Sequence, residues 1–266
     1  MTLAERMKEY EFQSRTRLLR RVPVVIRIDG KAFHTWTRGL DKPFDGELMH
    51  IMQKTLLSLC EQIQGCVFGY TQSDEITLVL IDYQRLESMA WFDNQVQKMC
   101  SIAASIATSA FQKALDEEIE MLEIDAQWHN QNFMLDDEVY CWKKANLLRE
   151  KRYKANFDAR AFNLPIHEVV NNLIWRQQDA IRNSINMLAQ SLYPHKEIQG
   201  INTQNLKNKM LEEKGIDWNA YRTAEKQGIA AIKDNEGKWF IDELTPIFAE
   251  HREYIDALVY PDSNDE

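Results

Sequence analysis

The stretch Pro23-Val-Val-Ile-Arg-Ile-Asp-Gly30 decides the fold of this chain. Its aliphatic residues are β-branched, and a proline and a glycine bound the run. It therefore predicts a short core strand over 22–28 rather than a helix. Asp29 then stands at the end of that strand. Residues 31–41 form a polar and aromatic loop instead of a returning strand, which suits them to cover a ligand.

A second carboxylate is expected beside Asp29. The strand-like run 66–71 leads into Gln-Ser-Asp-Glu75, and the apolar run 76–81 leads out, so Asp74 falls at the tip of a hairpin. An amphipathic helix over 45–64 is long enough to cross back over a sheet and place this hairpin next to the first strand. The sequence therefore predicts two acids side by side at one rim of a sheet.

Two neighbouring carboxylates repel each other, and a hard divalent cation relieves that repulsion. Mg²⁺ prefers one or two carboxylates together with water and phosphate oxygens. A pair of such ions can bridge a nucleoside triphosphate during displacement at phosphorus. Each motif also has a plain structural interpretation, because Asp-Gly is a common hairpin turn and Gln-Ser-Asp is ordinary turn composition.

The order of predicted elements indicates the fold class. After the hairpin come a helix over 91–115, which is rich in small residues suited to close packing on a sheet, and a fourth strand over 156–164. Strand, helix, strand, strand, helix, strand is the ferredoxin-like βαββαβ unit of an α+β protein. A helix over 4–20 precedes it. Residues 116–150 are expected to mix helix and loop.

The remainder of the chain predicts an extension of that unit. A long helix over 166–192, a charged helix over 203–214 and a hairpin over 227–242 are followed by a terminal helix and an acidic tail. We expect residues 1–165 to form a palm-like catalytic core with the N-terminal helix, and 166–266 to pack on it as one unit. Polymerase palms and nucleotidyl cyclases share this core with proteins that catalyse nothing, so the site must decide the function.

Composition narrows the class of protein. No apolar run in the 266 residues approaches the roughly 18 needed to span a membrane. The charged start lacks the apolar segment of a secretory signal, which predicts a cytoplasmic protein. A net charge of −9 argues against indiscriminate coating of nucleic acid. The cysteines show no Cys-x-x-Cys pair, so we interpret them as reduced core residues and expect no zinc site.

Two further features leave alternatives open. An acidic segment over 116–138 precedes a basic run over 143–154. Either both are solvated faces, or the basic run contacts phosphates while the acidic segment faces elsewhere. The helix over 166–192 carries an unusual polar face, which is a ligand or RNA contact, a simple polar face or a contact between subunits. The residues of that face are Asn172, Arg176, Asp179, Asn183 and Asn186.

Several motifs together resemble the tRNA-His guanylyltransferase family. They are Arg-Ile-Asp-Gly-Lys-Ala-Phe-His34, Lys-Pro-Phe-Asp45, Gly-Tyr-Thr-Gln-Ser-Asp-Glu75, Phe-Asp-Ala-Arg160 and Trp-Arg-Gln-Gln-Asp179. The likeness extends from about residue 6 to about residue 242 and keeps the family's order of motifs. It implies a nucleotidyltransferase with a polymerase-like palm that adds nucleotides to the 5′ end of a tRNA, growing the RNA from 3′ to 5′.

The resemblance also implies residue roles. Asp29, the carbonyl of Gly30 and Asp74 would hold two Mg²⁺ ions, with Glu75 supporting the acidic site as a third catalytic residue. ATP, GTP or another nucleoside triphosphate would be the substrate. The residues implied to bind it are Asp29, Gly30, Lys31, Ala32, Phe33, His34, Lys42, Asp45, Ser73, Asp74 and, for a second triphosphate, Lys98. The partners implied are tRNA and other subunits of a homotetramer.

One departure from the family bears on the reaction. Where the eukaryotic guanylyltransferases have a His-Ile-Asn-Asn-like segment, this chain has Ile-Arg-Asn-Ser184, which is similar to the guanylyltransferase-like proteins of bacteria and archaea. That branch adds templated nucleotides to 5′-truncated tRNAs, so we expect repair rather than dedicated, untemplated G addition to tRNA-His. A nucleotidyl cyclase and a non-catalytic RNA-binding protein are the more remote alternatives.

Overall fold

The computed structural model describes residues 1–132 and 134–260. Its helices are α1 (Leu3–Gln13), α2 (Phe33–Trp36), α3 (Gly46–Gln62), α4 (Val96–Gln131), α5 (Leu135–Glu150), α6 (Ile166–Leu192), α7 (His195–Ile198), α8 (Thr203–Lys214), α9 (Thr223–Gln227) and α10 (Glu253–Val259). Its strands are β1 (Val24–Gly30), β2 (Cys66–Gln72), β3 (Glu75–Leu80), β4 (Phe157–Asn163), β5 (Ile229–Lys233) and β6 (Trp239–Asp242). The acidic tail expected at 261–266 lies outside the described residues.

All six strands form one antiparallel sheet in the order β4-β1-β3-β2-β5-β6. The first four strands have the order of a ferredoxin-like βαββαβ unit, which confirms the predicted fold class. The β5–β6 hairpin pairs with β2 and extends the same sheet. The division between residues 165 and 166 as a domain boundary stays a prediction.

The two faces of strand β1 lie in different environments. Val24, Ile26 and Ile28 are buried on the side of the sheet covered by α3 and α4. Because side chains alternate along a strand, Arg27 and Asp29 point to the opposite side. The alternation visible in the sequence therefore carries the charged residues to the face of the sheet that α6 covers.

Helices α4 and α5 form a hairpin where the sequence left the structure open. The 36 residues of α4 continue far beyond the end predicted at 115, because apolar side chains recur at helical spacing through Ile119, Leu122 and Ala126. The small residues Ala103 and Ala107 are fully buried, as close packing on the sheet requires. Helix α1, in contrast, ends at Gln13 rather than at residue 20 and buries none of its residues.

Most cations of the basic run after the acidic segment contact groups of the protein, while the phosphate contact stays a prediction. Arg149 pairs with Glu123, and Arg152 lies 2.7 Å from Asp116. Lys144 is buried among carboxylates, and Lys151 donates to backbone carbonyls of the loop that follows β1. The two segments of opposite charge thus neutralise each other across the α4–α5 hairpin or hold neighbouring loops. Among the described helices, none is long and apolar enough to cross a membrane.

Candidate active site

The structure brings Asp29 and Asp74 together at the rim predicted from the sequence. Asp29 lies near the end of β1, and Asp74 lies in the two-residue turn between β2 and β3. The amide of Gly30 donates a 3.1 Å hydrogen bond to the backbone carbonyl of Asp74. Ser73 adopts a positive φ of 50° to make the turn, and its hydroxyl donates to the Asp74 carboxylate at 3.0 Å.

The electrostatics of this pair favour a bound cation. Burial raises the pKa of the Asp74 carboxyl, and the negative charges of Asp29 and Glu75 raise it further against hydrogen bonds that lower it. Within residues 1–132 and 134–260, neither Asp29 nor Asp74 has an ion-pair partner. Two uncompensated carboxylates with hard oxygen donors fit Mg²⁺, which completes its shell with water and phosphate oxygens.

The neighbouring acid, Glu75, has a different environment. It is 8% exposed, and Arg176 of α6 reaches both of its carboxylate oxygens at 3.0 and 3.1 Å. Arg27 of β1 brings its Nε to 2.8 Å from the same carboxylate, without the geometry of a hydrogen bond. The indole of Trp175 stacks 3.6 Å from the Arg176 guanidinium. Glu75 is therefore neutralised by two cations in an ion-pair network next to Asp29, and its catalytic role stays a prediction.

Sequence reasoning missed both partners of Glu75. Arg176 was assigned to the polar face of its helix, whereas the structure buries it between α6 and the sheet. The signal that could have found the network is Arg27, a single cation at an alternating position of an otherwise apolar strand. A charge in such a place requires a partner, since an unpaired buried charge is costly.

Next to Asp74 lies a cavity of about 490 Å³, which Asp29, Gly30, Lys31 and Ala32 do not line. Its volume is in the range of small-molecule sites. The predicted residues that line it are Phe33, His34, Lys42, Asp45, Ser73 and Asp74. Helix α6 supplies the opposite wall from Ala180 to Gln190, a span of eleven residues that extends about 15 Å along the helix axis. Asn183 and Asn186 of the polar face lie in this wall, whereas Arg176 does not.

The loop after β1 is held by its aromatic residue. Phe33 is buried and stacks on Trp36 with ring centroids 5.4 Å apart, while its ring also contacts Phe111 and Phe157. Lys31, Ala32 and His34 are exposed around it. Gly30 allows this packing, because a Cβ there would lie 2.6 Å from Cε2 of Phe33. The exposed residues of the loop are thus presented on a rigid aromatic base.

Asp45 and Lys42 have contrasting surroundings in the cavity wall. Asp45 is buried, caps α3 by accepting from the Leu48 amide at 2.9 Å, and pairs with Lys144. Lys42 is exposed and has no ion-pair partner among the residues that the structure describes. Of the two, Lys42 is free to contact a ligand, while Asp45 shapes the wall.

Lys98 is not brought to this cavity. It is exposed in the first turn of α4, with its ammonium 5.6 Å from the ring of Phe92. Phe111, which contacts the loop after β1, lies thirteen residues further along the same helix, or about 20 Å. The implied contact of Lys98 with a second triphosphate therefore stays a prediction, and it concerns a surface away from this cavity.

A more open groove of about 900 Å³ runs along the outer face of α4. It exceeds the cavity beside Asp74 in volume, but neither Asp29 nor Asp74 lines it. We therefore take the smaller cavity, which Asp74 lines, as the candidate site rather than the larger groove.

Comparison with known proteins places this site in context. Residues 4–165 match the family model described as tRNAHis guanylyltransferase. A bacterial tRNA(His) guanylyltransferase-like protein in complex with ATP is 38% identical, with a TM-score of 0.83, over 97% of this chain and 100% of that chain. A second such bacterial structure, in complex with GTP, is 35% identical with a TM-score of 0.74 over the same shares.

A curated relative gives a more distant match. The probable tRNA(His) guanylyltransferase of Dictyostelium discoideum is 29% identical over 63% of this chain. The matched part spans 54% of that protein, so this chain covers about half the length of the relative.

Proposed function

This chain belongs to the tRNAHis guanylyltransferase family, whose members are nucleotidyltransferases, and on that premise we propose that it adds nucleotides to the 5′ end of tRNA in the 3′-to-5′ direction. The observation that carries the proposal is the pair of uncompensated carboxylates, Asp29 and Asp74, of which Asp74 lines a cavity with the volume of a small-molecule site. The bacterial relatives that bind ATP and GTP support a nucleotide as the ligand.

Asp29, Asp74 and the carbonyl of Gly30 would hold two Mg²⁺ ions. When bound, Mg²⁺ neutralises phosphate charge and supports in-line displacement at phosphorus. The protein's own share is to hold these oxygens in place, which the Gly30–Asp74 backbone hydrogen bond and the Ser73 hydroxyl do.

The triphosphate would lie along the cavity between the loop after β1 and α6. The exposed side chains of Lys31, His34 and Lys42 are available to its phosphates. The amide side chains of Asn183 and Asn186 lie in the opposite wall and offer hydrogen bonds to its nucleoside part. Positioning of the reactants would supply a large share of the rate, since phosphoryl transfer requires little covalent chemistry from the protein.

The reaction would proceed by two transfers at phosphorus. An oxygen of the RNA 5′-monophosphate attacks the α-phosphorus of ATP and displaces pyrophosphate, which leaves a 5′-adenylylated RNA. The 3′-hydroxyl of the incoming nucleotide then attacks the RNA 5′-phosphorus, loses its proton and displaces AMP. An RNA that already carries a 5′-triphosphate skips the first transfer and releases pyrophosphate in the second.

We favour templated repair of 5′-truncated tRNA over dedicated G addition. Two observations support this choice. The bacterial guanylyltransferase-like structures match at 38% and 35% identity over 97% of the chain, against 29% over 63% for the Dictyostelium guanylyltransferase. In addition, Ile-Arg-Asn-Ser184 replaces the segment typical of the eukaryotic enzymes, and it lies on the part of α6 that lines the cavity.

The decisive experiment extends a 3′-labelled tRNA that lacks its first nucleotide, with Mg²⁺ and each nucleoside triphosphate in turn. Templated repair predicts addition only of the nucleotide complementary to the acceptor strand, with ATP required for 5′-monophosphate ends alone. Addition of G opposite every base would establish guanylyltransfer instead. Consumption of the triphosphate without any change in the RNA would refute the proposal and favour a cyclase.

The homotetramer and the cytoplasmic location expected from the sequence are part of this proposal. Light scattering on the purified protein tests the first, because a tetramer has four times the 31.3 kDa mass of the chain.

A further inference from the structure

A buried ammonium group joins three carboxylates beside the cavity. Lys144 of α5 is 4% exposed, and its Nζ lies 2.5 Å from Asp41 and 3.0 Å from Glu47, with Asp45 as its third partner. Among the described residues, these three acids form the one group whose oxygens converge within 4.8 Å. Lys144 occupies the position that a cation would take there. We shall call Lys144 with Asp41, Asp45 and Glu47 the lysine cluster.

The lysine cluster fastens both ends of a short segment of the cavity wall. Asp41 and Asp45 flank Lys42, Pro43 and Phe44, all of which line the cavity. The amide of Asp41 donates to the Asp45 carboxylate at 2.9 Å, which closes the segment into a loop. Asp45 also caps α3 through the Leu48 amide, as described above.

A second contact holds the first residue of this loop. The hydroxyl of Tyr140, one turn before Lys144 on α5, donates to Asp41 at 2.7 Å. Helix α5 therefore reaches the loop at residues about one hundred positions earlier in the chain. The side chain of Asp41 is 48% exposed, so its contacts with Lys144 and Tyr140 lie at the surface end of the cluster.

The charges of the lysine cluster explain why its cation is needed. Three carboxylates face one ammonium, so the group already carries an excess of negative charge. Hydrogen bonds from Lys144 and Tyr140 lower the pKa of the Asp41 carboxyl against the effect of burial. Without Lys144 the acids would repel at close range in a partly desolvated place, and the loop between them would open.

We propose that Lys144 is a positioning residue that holds the loop from Asp41 to Asp45 in the conformation that binds the nucleoside triphosphate. It contacts no ligand itself. Its effect passes through Lys42 and Phe44, which it keeps in the cavity wall. This inference rests on the proposed function, because it assumes that the cavity binds a nucleotide.

The test compares ATP binding by calorimetry in four proteins: wild type, Lys144→Met, Lys144→Met with Asp41→Asn, and Lys143→Met. We expect Lys144→Met to weaken ATP binding about tenfold or more, since small displacements of a positioning group have large effects. Adding Asp41→Asn removes one of the repelling charges and should restore much of that loss, which no loss of simple packing would do. Lys143 is the exposed neighbour without an ion pair in the described chain, so its variant should bind like wild type.

Steady-state kinetics provide a second readout. Lys144→Met should raise the KM for ATP and leave kcat near its wild-type value, because the loop positions the nucleotide and not the reacting carboxylates. Hydrogen exchange at residues 41–48 provides a third, which needs no nucleotide: exchange should be faster in Lys144→Met and slower again in the double variant. If Lys144→Met does not fold, Asp41→Ala is the substitute, because that half-exposed side chain can be removed with the core intact, and it should also weaken ATP binding.

The outcomes separate the inference from the proposed function. ATP binding and exchange in Lys144→Met equal to wild type would overturn the positioning role. Equal losses in the single and double variants would also overturn it, since charge repulsion would then not be the cause. A wild-type protein that does not bind ATP would refute the proposed function, and the exchange measurement would still decide whether Lys144 holds the loop.

Discussion

Replacement of Arg176 by methionine should destabilise the protein without opening its core. Arg176 is 5% exposed and makes both of its short contacts, at 3.0 and 3.1 Å, with the buried Glu75. Removal of one partner of a buried pair typically costs about 3–5 kcal/mol, because the remaining charge is left uncompensated. Here Arg27 stays beside Glu75, so we expect about half of that cost, roughly 1.5–2.5 kcal/mol. The methionine side chain keeps most of the apolar stem in place.

Thermal and urea unfolding measure this effect. For a chain of 266 residues, a loss of about 1.5–2.5 kcal/mol lowers the Tm by about 2.5–4.5 °C, from an unfolding entropy of about 2.1 cal/mol/K per residue. Arg160 provides the control, since it pairs in register with Arg27 on the neighbouring strand but is exposed and lies 3.8 Å from Asp158. Arg160→Met should change the stability by less than about 0.5 kcal/mol.

A double variant identifies the cause. If the cost arises from an uncompensated carboxylate, Arg176→Met together with Glu75→Gln should be more stable than Arg176→Met alone, because the buried charge is gone. Equal stability of the single and double variants would refute the ion-pair reasoning. So would a Tm for Arg176→Met within 1 °C of wild type, given the cost expected for a buried pair.

Three further predictions concern the carboxylate rim. Asp29→Ala should abolish nucleotide addition while far-UV circular dichroism and Tm stay near wild type, because the residue lies at a partly exposed rim; near-normal turnover would refute its assignment as a metal ligand. Asp74→Asn should raise the Tm at pH 7 in the absence of metal, because the raised pKa of this carboxyl means that its charged form opposes folding. That gain should shrink as the pH falls through the folded pKa, where wild-type Asp74 becomes neutral, and a gain that grows in acid would contradict the sign. Gly30→Ala should cost about 1–3 kcal/mol through overlap with the ring of Phe33, whereas Gly46→Ala, with open space around its Cβ position, serves as the neutral control in the same unfolding measurement.

The pattern of the sequence was sufficient to predict the strands of the βαββαβ unit and the two acids at its rim. The β-branched aliphatic run bounded by Pro23 and Gly30 predicted β1, and Asp-Gly and Ser-Asp placed two acids at strand ends. The motifs, in their order, were sufficient for the family. These features are local, since a strand or a turn is specified by residues within a few positions of one another.

The full length of α4 also has a local signal in the sequence. The apolar spacing through Ile119, Leu122 and Ala126 continues the helical period of α4, and it would have extended the helix past residue 115. Charged and polar side chains between these residues obscured the period, so residues 116–150 were expected to mix helix and loop.

The partners of the charged residues were decided only by the tertiary structure. Lys144 follows Lys143 in a basic run, and nothing in that run distinguishes the buried ammonium from its exposed neighbour. Arg176 lies on a polar helix face for which the sequence left a ligand contact, a simple polar face and a subunit contact open, and its partner Glu75 is 101 positions away. Because Coulomb energy depends on distance and burial, a charge acquires its role only when the chain brings distant elements together. The sequence alone therefore determined which groups could carry the chemistry, and the packing of α5 and α6 against the sheet decided which of them are neutralised and which remain free to act.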